Sequence, residues 1–286
     1  MRRLICGSVV FILCACNKTV PIKNKTTIIP LAHNNSVFIE YPTEPSIIFL
    51  GRMERSKSNE GGSVMYPGVG GAGGLLAGIL VHAAVQNSAN NKAKNNRLKK
   101  ANHILRRYND VIGDLTYADI FNSVSVNDKH VSNYHNMYDD LNVMMLRVEP
   151  VFYLTQNQKT IILKNKITFY ESKYSEKVIS SHIVEVHSRP KNIDDMESYW
   201  AENSFESFKK SIRNIFEESV TLGLNTYKKD NNSKAKTVVF SDAGQKQVER
   251  GVILFKDCTN TAFITLRGVT KFVPNYPVKY QDDCVI

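Results

Sequence analysis

The chain has 286 residues, 42% of them apolar, and a formal charge of +10, enough for one large domain or two small ones. Its cysteines form no C-x-x-C and no Cys/His set with zinc spacing, and H-E-x-x-H, G-x-S-x-G and Walker-type loops are absent, so no motif-bearing zinc, hydrolase or nucleotide chemistry is indicated. A basic balance suggests nucleic acid only for a chain that stays in the cytosol.

Arg2 and Arg3 precede an apolar run from Leu4 to Ala15, the layout of a secretory leader. As a helix this run covers only ~18 Å, short of a ~30 Å hydrocarbon core. It ends Leu13-Cys14-Ala15-Cys16: an aliphatic residue, a tolerant position, a small residue and a cysteine. This resembles the lipobox of bacterial lipoprotein precursors. The resemblance implies that residues 1–15 are a signal peptide cut after Ala15. It also implies that Cys16 carries the lipid attachment, with enough acyl chains for stable membrane binding. Asn17, where an aspartate would favour retention at the inner membrane, implies the outer membrane, with its periplasmic face the expected side. Nucleic acid then drops out as a partner. Another envelope protein, anionic lipid or an acidic cell-wall polymer takes its place, and no cofactor or metal is expected.

Once the leader is removed and Cys16 acylated, only Cys258 and Cys284 remain as thiols. An oxidising compartment favours a disulfide between them, and closing a loop of about 26 residues would contribute roughly 3.5 kcal/mol. Two free buried thiols are the alternative.

Residues 16–60 read as a lipid tether with short edge strands. Asn17 to about Asn35 is rich in Asn, Lys and Thr, and "SVFIEY" and "SIIFLG" follow, separated by Pro42 and Pro45. Prolines of this kind are expected at sheet edges.

Residues 61–118 read as a glycine-rich segment followed by an amphipathic helix. Gly68, Gly70 and Gly73 spell G-x-G-x-x-G, but no strand precedes them and no acid follows at the ribose-binding distance, so a dinucleotide site is rejected. Gly70, Gly74 and Gly78 recur every four residues, the spacing that lets a second backbone pack closely against a helix. A homo-oligomer is expected if that helix packs on its own copy; a glycine loop leading into a buried helix from about Leu75 is the plainer reading. Leu98, Ala101, Leu105, Tyr108, Ile112 and Leu115 extend a helical stripe. Beside it lie Lys92, Lys94, Arg97, Lys99, Lys100, Arg106 and Arg107 with no acid before Asp110. Such a basic face binds anionic surfaces or is merely solvated.

Residues 140–286 read as an α+β domain. "NVMMLRVEPVFYLT" and "TIILKNKITFYES" flank a turn at Gln156-Asn157-Gln158, and "KVISSHIVEVHS" is a third strand. Thr160, Ile162, Lys164, Lys166 and Thr168 alternate with Ile161, Leu163, Ile167 and Phe169, as in a half-buried strand. A long helix then follows, capped by Asn192 or Asp194, with Trp200, Phe205, Phe208, Ile212, Ile215, Phe216 and Val220 on its apolar face and Gly223 near its end. "KTVVFS", "RGVILFKD", "TAFITLRG" and "TKFVP" complete the strands. His182 and His187, five apart, fall on opposite faces of a strand and cannot share an ion. The acid pair Asp194-Asp195 reads as a cap rather than a catalytic dyad.

The fold expected is therefore α+β: a glycine-rich segment and basic amphipathic helix, then an antiparallel sheet packed with one long helix. This order resembles outer-membrane lipoproteins of no assigned activity. The expected role is a non-enzymatic binding protein on the periplasmic side of the outer membrane. A membrane-active or oligomerising protein, or an enzyme without a visible motif, is the alternative.

Overall fold

The alternation of apolar and polar residues that begins near Met144 builds the centre of a ten-stranded sheet. A computed structural model describes residues 24–30, 36–42, 46–52, 96, 99–122, 125–126, 129–130, 144–172, 174–226, 234–280 and 284. In chain order the strands are β1 (Asn24–Pro30), β2 (Ser36–Pro42), β3 (Phe49–Arg52), β4 (Ser125–Val126), β5 (Lys129–His130), β6 (Met144–Thr155), β7 (Ile161–Tyr170), β8 (Val178–His187), β9 (Lys236–Asp242), β10 (Gln245–Lys256), β11 (Asn260–Thr265) and β12 (Thr270–Pro274). Their lateral order is β1-β2-β6-β7-β8-β12-β11-β10-β9, with β3 paired to β6, while β4 and β5 form a separate small hairpin. Pairing is antiparallel except at β2–β6, β3–β6 and β8–β12.

The expectation that 16–60 is a tether with edge strands needs correcting for the described part. β2 lies inside the sheet between β1 and β6, whereas β3, on the same side of β6 at Phe152–Thr155, has no second strand partner among the described residues and is an edge strand as expected. Pro42 ends β2 part-way along β6, and the chain rejoins β6 farther along at β3. Gly51 in β3 lies against the Ala101 carbonyl, where a methyl group would overlap that oxygen. The Gly51 amide donates to Asn102 Oδ1 at 2.8 Å. Only glycine permits this approach.

The helix expected to run continuously towards residue 118 is broken instead. Residues 103–108 form a 3-10 helix, followed by α1 (Asn109–Asp114) and α2 (Tyr117–Phe121). Ala101, Leu105, Tyr108, Val111 and Leu115 are buried. Consecutive steps of three within this set suit the tighter helix, in which residues three apart eclipse. Thr116 opens α2 with a capping box: its Oγ1 accepts from the Asp119 amide at 3.1 Å, and Asp119 Oδ2 accepts from the Thr116 amide at 3.0 Å.

The long helix α3 (Met196–Thr226) crosses β7 and β8. Its cap is Asp195, one residue beyond the expected Asp194; Asp195 Oδ1 accepts from the Ser198 amide at 3.1 Å. Trp200, Phe208, Ile212, Ile215, Phe216 and Val220 are buried and Phe205 packs beside them, in one core with Leu163, Ile167, Val184 and Val186 of the sheet. Gly223 sits over Ile167, which a larger residue would strike. The helix is not continuous: Asn203, Ser204 and Phe205 have φ of 49°, 57° and 63°, a left-handed turn separating a short first segment from the rest.

β7 is buried on both faces, where alternation suggested one. Ile162, Lys166 and Thr168 on the side away from α3 are 0%, 7% and 1% exposed. β9 curls back so that Phe240 bridges to Asn275 beyond β12. Val238, Phe240, Phe263 and Val273 make a second, small core there.

Cys258 and Cys284 are joined by a disulfide with Cα atoms 6.0 Å apart. The bridge fastens the tail to the β10–β11 turn, and the Tyr280 hydroxyl donates to the Pro190 carbonyl at 3.1 Å.

Candidate functional site

Of the residues singled out in the sequence, Ala15, Cys16, Gly70, Gly74, Gly78, Lys92, Lys94 and Arg97 lie outside the described residues. Lys99, Lys100, Arg106 and Arg107 are exposed, the first two just before the 3-10 helix and the others on it. The set is not uniformly available to a ligand, because Arg107 pairs with Glu197 in the first turn of α3.

Sequence spacing did not reveal a ladder of opposite charges on the sheet face away from α3. It follows the strand register residue for residue. Glu40 faces Arg147, Glu149 faces Lys166, Lys164 faces Glu185, and Glu185 faces Lys271. Arg147 Nε donates to Glu40 Oε2 at 2.6 Å and Nη1 to the Tyr170 hydroxyl at 2.9 Å, with its guanidinium over the Tyr170 ring. Lys166 Nζ lies 3.0 Å from Glu149 Oε2. Directly opposed unlike charges support strand pairing.

The ladder converges on Glu185. Lys164 and Lys271 each approach its carboxylate to 3.3 Å, and His187 Nε2 donates to Oε1 at 2.8 Å. Lys271 also reaches Glu249 Oε2 at 2.9 Å. Burial acts to raise the Glu185 carboxyl, but Lys164, the His187 hydrogen bond and Lys271 together hold it well below the usual carboxylate range. For Lys271, burial works against the charge and Glu185 and Glu249 outweigh it, so its ammonium is held above the ordinary lysine value.

Beyond His187 the chain of charges continues to β9. Its Nδ1 makes no hydrogen bond and lies 3.7 Å from Asp242 Oδ1. Asp242 is gripped by both terminal nitrogens of Arg52 on β3, at 3.0 and 2.6 Å. The His187 side chain is only 1% exposed. The constellation therefore links β3, β7, β8, β9, β10 and β12 by charge and presents its imidazole to other protein groups rather than to solvent.

His182 lies on the opposite face from His187, stacked on Phe169. Burial lowers its affinity for a proton, against the raising effect of the Gly223 backbone. Among the described residues no group of three or more His, Cys, Asp or Glu side chains is placed to hold a metal, and no helix is long and apolar enough to cross a membrane. Comparison of the chain with protein-family profiles, curated proteins and solved structures finds no match.

Proposed function

We propose that the protein is a lipid-anchored component of a bacterial cell envelope. In this reading Cys16 holds it on the periplasmic side of the outer membrane, and its α+β domain binds another envelope component without catalysing a reaction. The observation that carries the reading is the order Arg2-Arg3, an apolar run, and Leu13-Cys14-Ala15-Cys16. No other arrangement in the chain so directly specifies a modification.

Two further features support it. A disulfide between Cys258 and Cys284 suits an oxidising compartment. Lys99, Lys100 and Arg106 are exposed on one short stretch, as expected of a contributor to binding at anionic surfaces. The charges around Glu185 are read as structural, because they are spent on one another across the strands.

Mass spectrometry of the mature protein from envelope fractions tests the anchor. The expected N-terminal residue is Cys16 bearing acyl groups, and Cys16→Ala should leave the protein unprocessed and unacylated. A mature chain that retains Met1, or an unmodified Cys16, would remove the reading. Pull-down with the acylated protein then identifies the bound component.

A further inference from the structure

Cations are treated differently on different parts of the sheet. On β3, β6, β7 and β12, every described strand cation is matched to an acid. The pairs are Arg52–Asp242, Arg147–Glu40, Lys164–Glu185, Lys166–Glu149, and Lys271 with both Glu185 and Glu249. The β9–β10 hairpin breaks this pattern. Lys246 is opposed by Ser241, Arg250 by Thr237, Lys236 by Gly251 and Lys256 by Thr261. None of these four has an ion-pair partner among the described residues.

The hairpin's two faces differ in kind. Val238 and Phe240 point into the small core, and Glu249, opposite Val238, turns the same way to reach Lys271. The outward positions are therefore Lys246, Val248 and Arg250 on β10, with Val239 and Thr237 opposite the last two on β9; Ser241, opposite Lys246, is buried. Lys246 and Arg250 are exposed, and Val248 between them is 58% exposed. Each cation is about 7 Å from the valine along the strand, two residues at the usual rise. The outward face thus offers a cation, an aliphatic side chain and a second cation, and no acid.

We propose that the outward face of the β9–β10 hairpin is a docking surface for an anionic lipid bilayer. Val248, with Val239 beside it, enters the boundary between headgroups and acyl chains, while Lys246 and Arg250 meet lipid phosphates. A bilayer fits better than a soluble polyanion because the exposed aliphatic at the centre gains only where it can leave water. The surface rests on the envelope reading for its access to a membrane, but its chemistry is independent of acylation at Cys16.

The test uses full-length protein carrying Cys16→Ser, so that no acyl chain contributes, with vesicles of phosphatidylcholine alone or mixed with phosphatidylglycerol. The quantity read is the ratio of binding to the two, compared between variants that all carry the same leader. Lys246→Gln with Arg250→Gln is expected to reduce that ratio about fivefold for each charge removed. Val248→Asp should reduce it comparably, and Lys246→Arg with Arg250→Lys should preserve it. Circular dichroism of each variant establishes that it is folded; the two cations have no partner to lose. An unchanged ratio in both ribbon variants overturns the proposal. So does a loss confined to the charge variant and matched by an equal loss of binding to soluble polyphosphate, which would assign the face to a polymer. Acylation of Cys16 is read separately by mass on the unsubstituted protein, so failure of one reading leaves the other standing.

Discussion

Glu185 is buried with two lysines 3.3 Å away and an imidazole donating to it at 2.8 Å. Removing this carboxylate's charge leaves Lys164 without its acid and Lys271 with Glu249 alone, and breaking a buried pair in this way costs about 3 kcal/mol; Glu185→Gln is expected to lose stability on that scale at neutral pH. The sign of the pH dependence follows from the folded-state carboxyl being held well below its ordinary 4.5. Its contribution is complete above the unfolded value and is lost as pH falls through the folded one. Urea midpoints of wild type and Glu185→Gln should therefore converge as pH is lowered below about 4.5, and a difference that persists unchanged in acid would remove this role. None of the group was legible in the sequence. Lys164, Glu185, His187 and Lys271 show their strand parity there, but which residue faces which depends on register between strands more than eighty positions apart for Glu185 and Lys271. The disulfide was legible because the lipobox reading leaves only Cys258 and Cys284 to pair.

The turn at Asn203-Ser204-Phe205 divides α3, and left-handed φ on three consecutive non-glycine residues is unfavourable for L side chains. Ser204, exposed and at φ 57°, is a position where glycine relieves that strain. Ser204→Gly is expected to raise stability by about 0.5–1 kcal/mol, the net of relieved backbone strain and the entropy glycine adds to the unfolded chain; a lower urea midpoint would contradict the assignment. The apolar face of this helix was readable from the spacing of Trp200, Phe208, Ile212, Phe216 and Val220. The kink was not, since Asn and Ser mark no obligatory break. The opposite happened before residue 122. Thr116 and Asp119 carry a capping-box spacing that announces a new helix, yet the longer apolar stripe masks it. Just ahead of the 3-10 segment, Gly51 of β3 packs on the Ala101 carbonyl, a long-range contact that no local pattern encodes. Of the last four strands, β9, β11 and β12 follow the expected runs closely because their alternation and turns are local, whereas β10 begins at Gln245, five residues before the expected "RGVILFKD".

Across the whole molecule the Cys258–Cys284 bridge, with 26 positions between its ends, holds the tail against the β10–β11 turn. Reduction should lower stability by roughly 3.5 kcal/mol in the chain-entropy account, read as a shift of the urea midpoint with and without reductant. An unchanged midpoint after reduction confirmed by mass would show that packing of Tyr280 on Pro190 and Arg189 holds the tail without covalent help. The allocation of 16–60 outside the main domain failed at this scale, because pairing of β2 with β6 joins residues such as Glu40 and Arg147, 107 positions apart.

The junctions of β2 with β6 and of β8 with β12 are both parallel, and they divide the sheet into blocks that are each continuous in the chain. During synthesis the first block emerges and must wait for about a hundred further residues before the neighbour that completes it exists. Through that interval one side of β2 offers open backbone donors and acceptors to any passing strand. The early part of this chain therefore cannot complete its pairing until β6 has been made.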